Sequence, residues 1–186
     1  MTIIVSVALS LLAILISVLI YSRRTEKPKD ILLAGPSGSG KTAITFALLN
    51  TSANSRASTI PNVINHEGTR IVEIPGHERI STDTLKTRLP AKRVLYCMDY
   101  KHLNQSVQHL SGFLQAVGNT PVVIVLTKYD KQSQESLIQR SKNTLEFELN
   151  KIRKSKVDND GKTIALNYPF VVVGSKDISN LFEYIH

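Results

Sequence analysis

Residues 31–42 read ILLAGPSGSGKT: an apolar stretch short enough for a strand runs directly into G-x-x-x-x-G-K-[ST], and KTAITFALLN then takes up helical apolar spacing. Few sequence features restrict a fold so severely. A glycine-rich turn between strand and helix lets backbone N–H groups curl around an anion and sets that anion on the positive end of the helix. Gly35, Pro36, Ser37, Gly38, Ser39 and Gly40 form the curl. Lys41 is placed to reach β- and γ-phosphates, and Thr42 brings a hydroxyl for Mg²⁺. An ordinary polar loop is the bland reading, and the flanking strand and helix argue against it.

The rest of the chain alternates in the same way. TRIVEI (69–74), RVLYCMDY (93–100), PVVIVLTK (121–128) and YPFVVVG (168–174) read as strands, the middle two apolar enough to be buried on both faces. LNQSVQHLSGFLQAVG (103–118) reads as a helix, and SQESLIQRSKNTLEFELNKIRK (133–154) as an amphipathic one carrying Ile138, Leu145, Leu149 and Ile152. VDNDGK (157–162) is a turn and DISNLFEYIH a closing helix. Strands alternating with helices predict a mostly parallel sheet with helices on both faces. A chain of 186 residues suits one such domain, over 30–186.

Residues 3–20, IIVSVALSLLAILISVLI, form an uncharged run broken only by serines. As a helix it would extend about 27 Å, close to the roughly 30 Å of a bilayer's hydrocarbon core. A cleaved signal peptide fits less well, because no Lys or Arg precedes the run and no small-residue cleavage site follows it. Arg23, Arg24, Lys27 and Lys29 follow instead, which predicts a transmembrane anchor over 3–21, a basic tether over 22–29 and a cytosolic domain beyond. Thr2 excludes N-myristoylation. The single cysteine, Cys97, lies in an apolar run and reads as a buried structural thiol. A net charge of +8 outside the anchor is compatible with anionic lipid or RNA, a weak inference since basic surfaces are common.

Base recognition belongs at the far end of the sheet. TKYD (127–130) follows the buried strand PVVIVL and resembles the N-K-x-D box of GTPases, in which the aspartate accepts two hydrogen bonds from guanine and the lysine stem packs on the base. Thr127, Lys128 and Asp130 would fill these positions; alone, such a tetrapeptide would be a solvated turn. VVVGSKD sets Gly174, Ser175 and Lys176 after the last strand, similar to the S-A-K box that backs the guanine. Between the phosphate loop and TKYD, ASTIPNV (57–63) offers Thr59 to Mg²⁺ and a γ-phosphate, with Ser58 as the competing register. EIPGHE places the Gly76 backbone N–H and His77 where a loop ordered by the γ-phosphate would act as a two-state switch.

Together, the apolar N-terminal run, GPSGSGKT, IPGHE, TKYD and GSKDISNLFEYI resemble the beta subunit of the eukaryotic signal recognition particle receptor over nearly the whole chain. The resemblance implies an α/β P-loop NTPase fold of Ras/Arf-like type behind one N-terminal transmembrane helix. It also implies GTP and Mg²⁺ as ligands, a place in the endoplasmic reticulum membrane, and recruitment of the N-terminal domain of the receptor's alpha subunit near ribosome and translocon. Two departures stand out: Glu73 for the family's Asp and Thr127 for Asn. With His77 in place of the water-orienting glutamine of other GTPases, and Glu73 expected to loosen the metal, intrinsic hydrolysis should be slow. The rival readings are a membrane-anchored ATPase or nucleotide kinase, an inert scaffold, and an Arf-like trafficking GTPase with an anchor.

Overall fold

A computed structural model of the chain describes residues 12, 14–16, 30–51, 60–129, 134–155, 165–174 and 177–185. Its order is β1 (Ile31–Ala34), α1 (Lys41–Leu48), β2 (Asn62–His66), β3 (Thr69–Glu73), α2 (Glu78–Arg88), β4 (Arg93–Asp99), a 3-10 turn (Tyr100–His102) and α3 (Leu103–Val117). There follow β5 (Val122–Tyr129), α4 (Gln134–Ser155), β6 (Phe170–Gly174), a second 3-10 turn (Ser179–Leu181) and α5 (Phe182–Ile185). The six strands form one sheet in the order β2-β3-β1-β4-β5-β6, parallel except for the β2–β3 pair. The predicted alternation is therefore observed.

Period-2 alternation along each strand divides the apolar residues between two layers. Leu32, Ala34, Tyr96, Met98, Ile124 and Leu126 face a core shared with α2, α3 and α4, where Leu85, Leu110, Phe113, Leu145 and Leu149 are buried. Their neighbours Ile31, Leu33, Leu95, Cys97, Val123 and Val125 face the other side, covered by Ile44 and Leu48 of α1 and by Leu181 and Ile185 at the C-terminal end. Each fully buried aliphatic side chain contributes about 2 kcal/mol relative to exposure. β1 is the centre of this arrangement, with β3 on one side and β4 on the other. Chain connections leave β1 in opposite directions, and the C-terminal end of such a strand is where open α/β sheets place their ligands.

Several details differ from the sequence expectation. Asn62 and Val63, read as part of a switch loop, begin the edge strand β2. It turns into β3 through Glu67 and Gly68, with φ of 47° and 79°. Two left-handed residues give the turn a twist that matches the strands it joins. Glu67 is a weak signal for such a turn, whereas Asn or Asp at that position would have announced it. α2 was not foreseen; its sequence, ERISTDTLKTR, is too polar to show an apolar stripe. On α4 the buried line runs through Leu137, Ser141, Leu145 and Leu149, with Ile138 and Ile152 only half-buried at its margin. The closing helix is reduced to one 3-10 turn and four α-helical residues.

Nearly all of the predicted anchor and the whole tether lie outside the described residues, as does the 157–162 turn. Among the described residues no helix is long and apolar enough to cross a membrane. Cys97 is fully buried, and burial pushes its thiol up to about 12, as expected of a structural cysteine.

Candidate functional site: a phosphate cradle and a base cleft

The phosphate loop is shaped by close approach. Gly35 has φ of 138°, and a Cβ there would lie 2.2 Å from the Cys97 carbonyl oxygen on β4, so only glycine fits between β1 and its neighbour. Gly40 precedes α1, and no side chain caps the helix. The amides that a capping Ser or Asp would otherwise take thus face the concavity of the loop, where an anion would accept from them.

Lys41, the first residue of α1, is only 6% exposed. Its ammonium donates to the Gly35 and Pro36 carbonyls at 2.8 Å each, and to Ser39 Oγ at 3.4 Å. Among the described residues no carboxylate comes within ion-pair distance of it. Burial pulls its pKa down, with the negative charge of Glu73 opposing this. A buried cation surrounded by carbonyls fits a phosphate, whose charge would offset the desolvation that the loop alone leaves uncompensated.

Beside it, the parallel register pairs Leu33 with Glu73, which puts that carboxylate at the mouth of the loop. Glu73 accepts from Thr42 Oγ1 at 2.5 Å through one oxygen and from Thr45 Oγ1 at 3.2 Å through the other. The extra methylene relative to Asp therefore does not detach residue 73 from Thr42; it lets the carboxylate reach a second hydroxyl. Among the described residues no group of three or more His, Cys, Asp or Glu could hold a metal unaided. The Thr42 hydroxyl and Glu73 carboxylate suit Mg²⁺, which takes few protein oxygens and completes its shell with water and phosphate.

Beyond β3 the backbone stays against the cradle. The Ile74 amide donates to the Leu33 carbonyl at 2.9 Å. A Cβ on Gly76 would lie 2.6 Å from the Ser37 amide nitrogen and 2.7 Å from its Cα, so the Gly76 backbone passes too close to the phosphate loop for any side chain to fit. His77 is the N-cap residue of α2; its side chain is exposed and makes no capping bond.

The end where the sequence predicts base recognition is assembled from β4, β5 and β6. Leu126 pairs with Val172 and Tyr129 with Gly174, so Thr127 and Lys128 together oppose the single residue Val173. This bulge coincides with φ of 60° at Lys128, a left-handed conformation costing about 1 kcal/mol for a residue with a side chain. Thr127 is buried and donates its hydroxyl toward the Ser39 carbonyl at 2.8 Å and the Met98 carbonyl at 3.1 Å. It braces the phosphate loop against the sheet. Lys128, half exposed, donates to Asp99 Oδ2 at 2.8 Å.

Thr127, Lys128 and Gly174 line a cleft of about 100 Å³ with Gly40, Ala43, Ile44, Val173 and Ile178. A larger cavity of about 410 Å³, lined by Arg93, Asn119, Tyr168 and Tyr184 among others, opens at the opposite end of the sheet, and none of the described site residues lines it. Size alone does not locate the chemistry.

The fold thus brings together Gly35, Pro36, Ser37, Gly38, Ser39, Gly40, Lys41, Thr42, Gly76 and His77 at one end of the site, and Thr127, Lys128 and Gly174 at the other. Thr59, with its rival Ser58, and Asp130, Ser175 and Lys176 lie outside the described residues. Sequence reasoning missed Asp99 and Thr45. A carboxylate closing the apolar run RVLYCMD, at the C-terminal end of a parallel strand, was the available signal for Asp99.

Residues 26–177 match the family model of the signal recognition particle receptor beta subunit. The chain belongs to that family. No curated protein matches its sequence significantly. Among solved structures, it is similar to the crystal structure of a probable GTP-binding protein engB, at 17% identity and a TM-score of 0.58, covering 84% of this chain and 98% of that one. At that identity the likeness concerns the fold, a mostly parallel α/β sheet covered by helices, which this member of the receptor beta subunit family shares.

Proposed function

We propose that this receptor beta subunit is a membrane-anchored GTP-binding switch that, with GTP bound, recruits the N-terminal domain of the receptor's alpha subunit for co-translational targeting to the endoplasmic reticulum. The observation that carries the switch is the close approach of the Gly76 backbone to Ser37, which leaves no room even for a Cβ. It couples the segment joining β3 to α2 directly to the phosphate loop, so a change in what the loop holds is felt at His77, the exposed N-cap residue of α2.

In this reading Gly35 to Gly40 present amides to the phosphates, Lys41 shifts from loop carbonyls to phosphate oxygens, and Thr42 with Thr59 holds Mg²⁺. The ion, when bound, neutralises charge on the phosphate oxygens. Glu73 orients the Thr42 hydroxyl. Lys128 and Asp130 read guanine, backed by Gly174, Ser175 and Lys176. His77, exposed and unfixed by a capping bond, orients an attacking water poorly, so intrinsic turnover is slow and the GTP state long-lived. The 3–21 run holds the domain at the membrane, close to translocon and ribosome; direct RNA contact has no support beyond net charge.

The test is the nucleotide released on denaturing freshly purified full-length chain in detergent. GTP is expected. GDP alone would sink the slow-turnover reading, and adenine nucleotide the guanine assignment. Alkaline carbonate washing of membranes tests the anchor separately: a chain that washes off is not anchored.

A further inference from the structure

We propose that Asp99 is the positioning residue of the base cleft: its carboxylate holds the Lys128 ammonium and so lays the lysine stem along the wall where the base stacks. The inference rests on the guanine-site reading above and adds to it a residue outside the sequence boxes.

Register makes the pair. Asp99 ends β4 directly beside Thr127 on β5, one residue before Lys128. An unbulged strand would turn residue 128 to the sheet face opposite residue 127; the bulge and the left-handed backbone at Lys128 re-aim its side chain. Half of that side chain remains exposed, yet its head group is fixed at 2.8 Å from a carboxylate that is 9% exposed.

The carboxylate is itself held from other directions. Its Oδ1 accepts from the Lys101 amide at 3.0 Å and its Oδ2 contacts His102 Nδ1 at 3.0 Å, all within the turn that follows β4. A tethered head at one end and a strained backbone at the other leave the methylenes between them little freedom. Lys128 lines a cleft that Ala43 and Ile44 of α1 and Val173 and Ile178 also line. A planar heteroaromatic base gains from an apolar strip that is already in place, because little rotamer entropy is lost on binding. The competing explanation is that Asp99 only caps the 3-10 turn through Lys101.

Full-length chain in detergent is loaded with GDP carrying a fluorescent label on the ribose, and release is followed after adding excess unlabelled GDP. Asp99→Asn keeps an acceptor for the Lys101 amide but removes the charge that holds Lys128. Lys128→Met keeps an apolar stem but loses its tethered head. Each variant is expected to release GDP about three- to tenfold faster, and the double variant no faster than Lys128→Met alone.

Multiplying effects would assign Asp99 the capping role and overturn the proposal. So would release from Lys128→Met at the unsubstituted rate, a result that decides the matter even where Asp99→Asn does not fold. Failure of the unsubstituted chain to bind labelled GDP would instead remove the guanine-site reading, and the proposal with it.

Discussion

The two ends of the site are built on different plans. The phosphate end is local in the chain: Gly35 to Thr42 are contiguous on one strand, one turn and one helix, with Lys41 bonded to carbonyls only five and six residues away, and its distant neighbours, the Cys97 carbonyl and Gly76, set only how much room the loop has. The base end is long-range. Lys128 finds its partner 29 residues earlier in the chain, and Thr127 donates across 88 residues to Ser39. Local geometry is stabilised by backbone contacts that tolerate little change, whereas long-range geometry depends on a few side-chain bonds that substitutions remove one at a time. Thr127 is the joint between the two ends.

The largest expected effect lies at the local end. Gly35→Ala brings a methyl to 2.2 Å from the Cys97 carbonyl at a φ that side chains avoid, and should cost about 3 kcal/mol or more in folding stability. Thermal unfolding of the variant measures it; an unchanged midpoint would mean that the loop is less constrained by β4 than the contact implies.

Thr127→Val is next. It preserves shape but leaves the Ser39 and Met98 carbonyls without their hydroxyl donor, for about 1–2 kcal/mol. If Thr127 joins the two ends, faster GDP release should accompany the lost stability. Lost stability with unaltered release would separate the ends.

Glu73→Asp shortens the reach to Thr42 and Thr45. Loss of one of the two bonds should lower stability by about 1 kcal/mol, read from the urea midpoint. A more stable variant would contradict the two-hydroxyl geometry.

The smallest effect concerns acid. Burial raises the Asp99 carboxyl, but bonds from Lys128, the Lys101 amide and His102, together with the Lys128 charge, outweigh it and leave the pKa below the ordinary carboxylate value. A depressed folded-state pKa contributes stability that is fully present above the unfolded value, about 3.9, and is lost as pH falls through the lower folded value. Urea midpoints of Asp99→Asn should therefore decline less steeply with acid than those of the unsubstituted chain, and parallel curves would show that Lys128 does not stabilise the carboxylate.

Much of the fold was legible. Strand and helix periods disclosed β1, β3, β4, β5 and β6 with α1, α3 and α4, most plainly where residues enclosed on both sides leave an unbroken apolar record. β2 and α2 left a weak one. β2 lies at the sheet edge with three of five residues exposed, and α2 is so polar that its place depends on packing against α3 and on burying Leu85 rather than on its own pattern. Within the site, the phosphate loop and Thr127–Lys128 were visible as short strings. Asp99 was not, because a single carboxylate has no string.

From sequence alone came the phosphate loop, the parallel α/β plan, the apolar N-terminal run and the family resemblance, all written in neighbouring residues whose spacing reflects backbone geometry. Tertiary structure decided that Glu73 serves two threonines, that Gly76 lies on Ser37, and that Asp99 holds Lys128. These pairs arise from the register between strands far apart in the chain, and register is set by how whole side-chain layers pack.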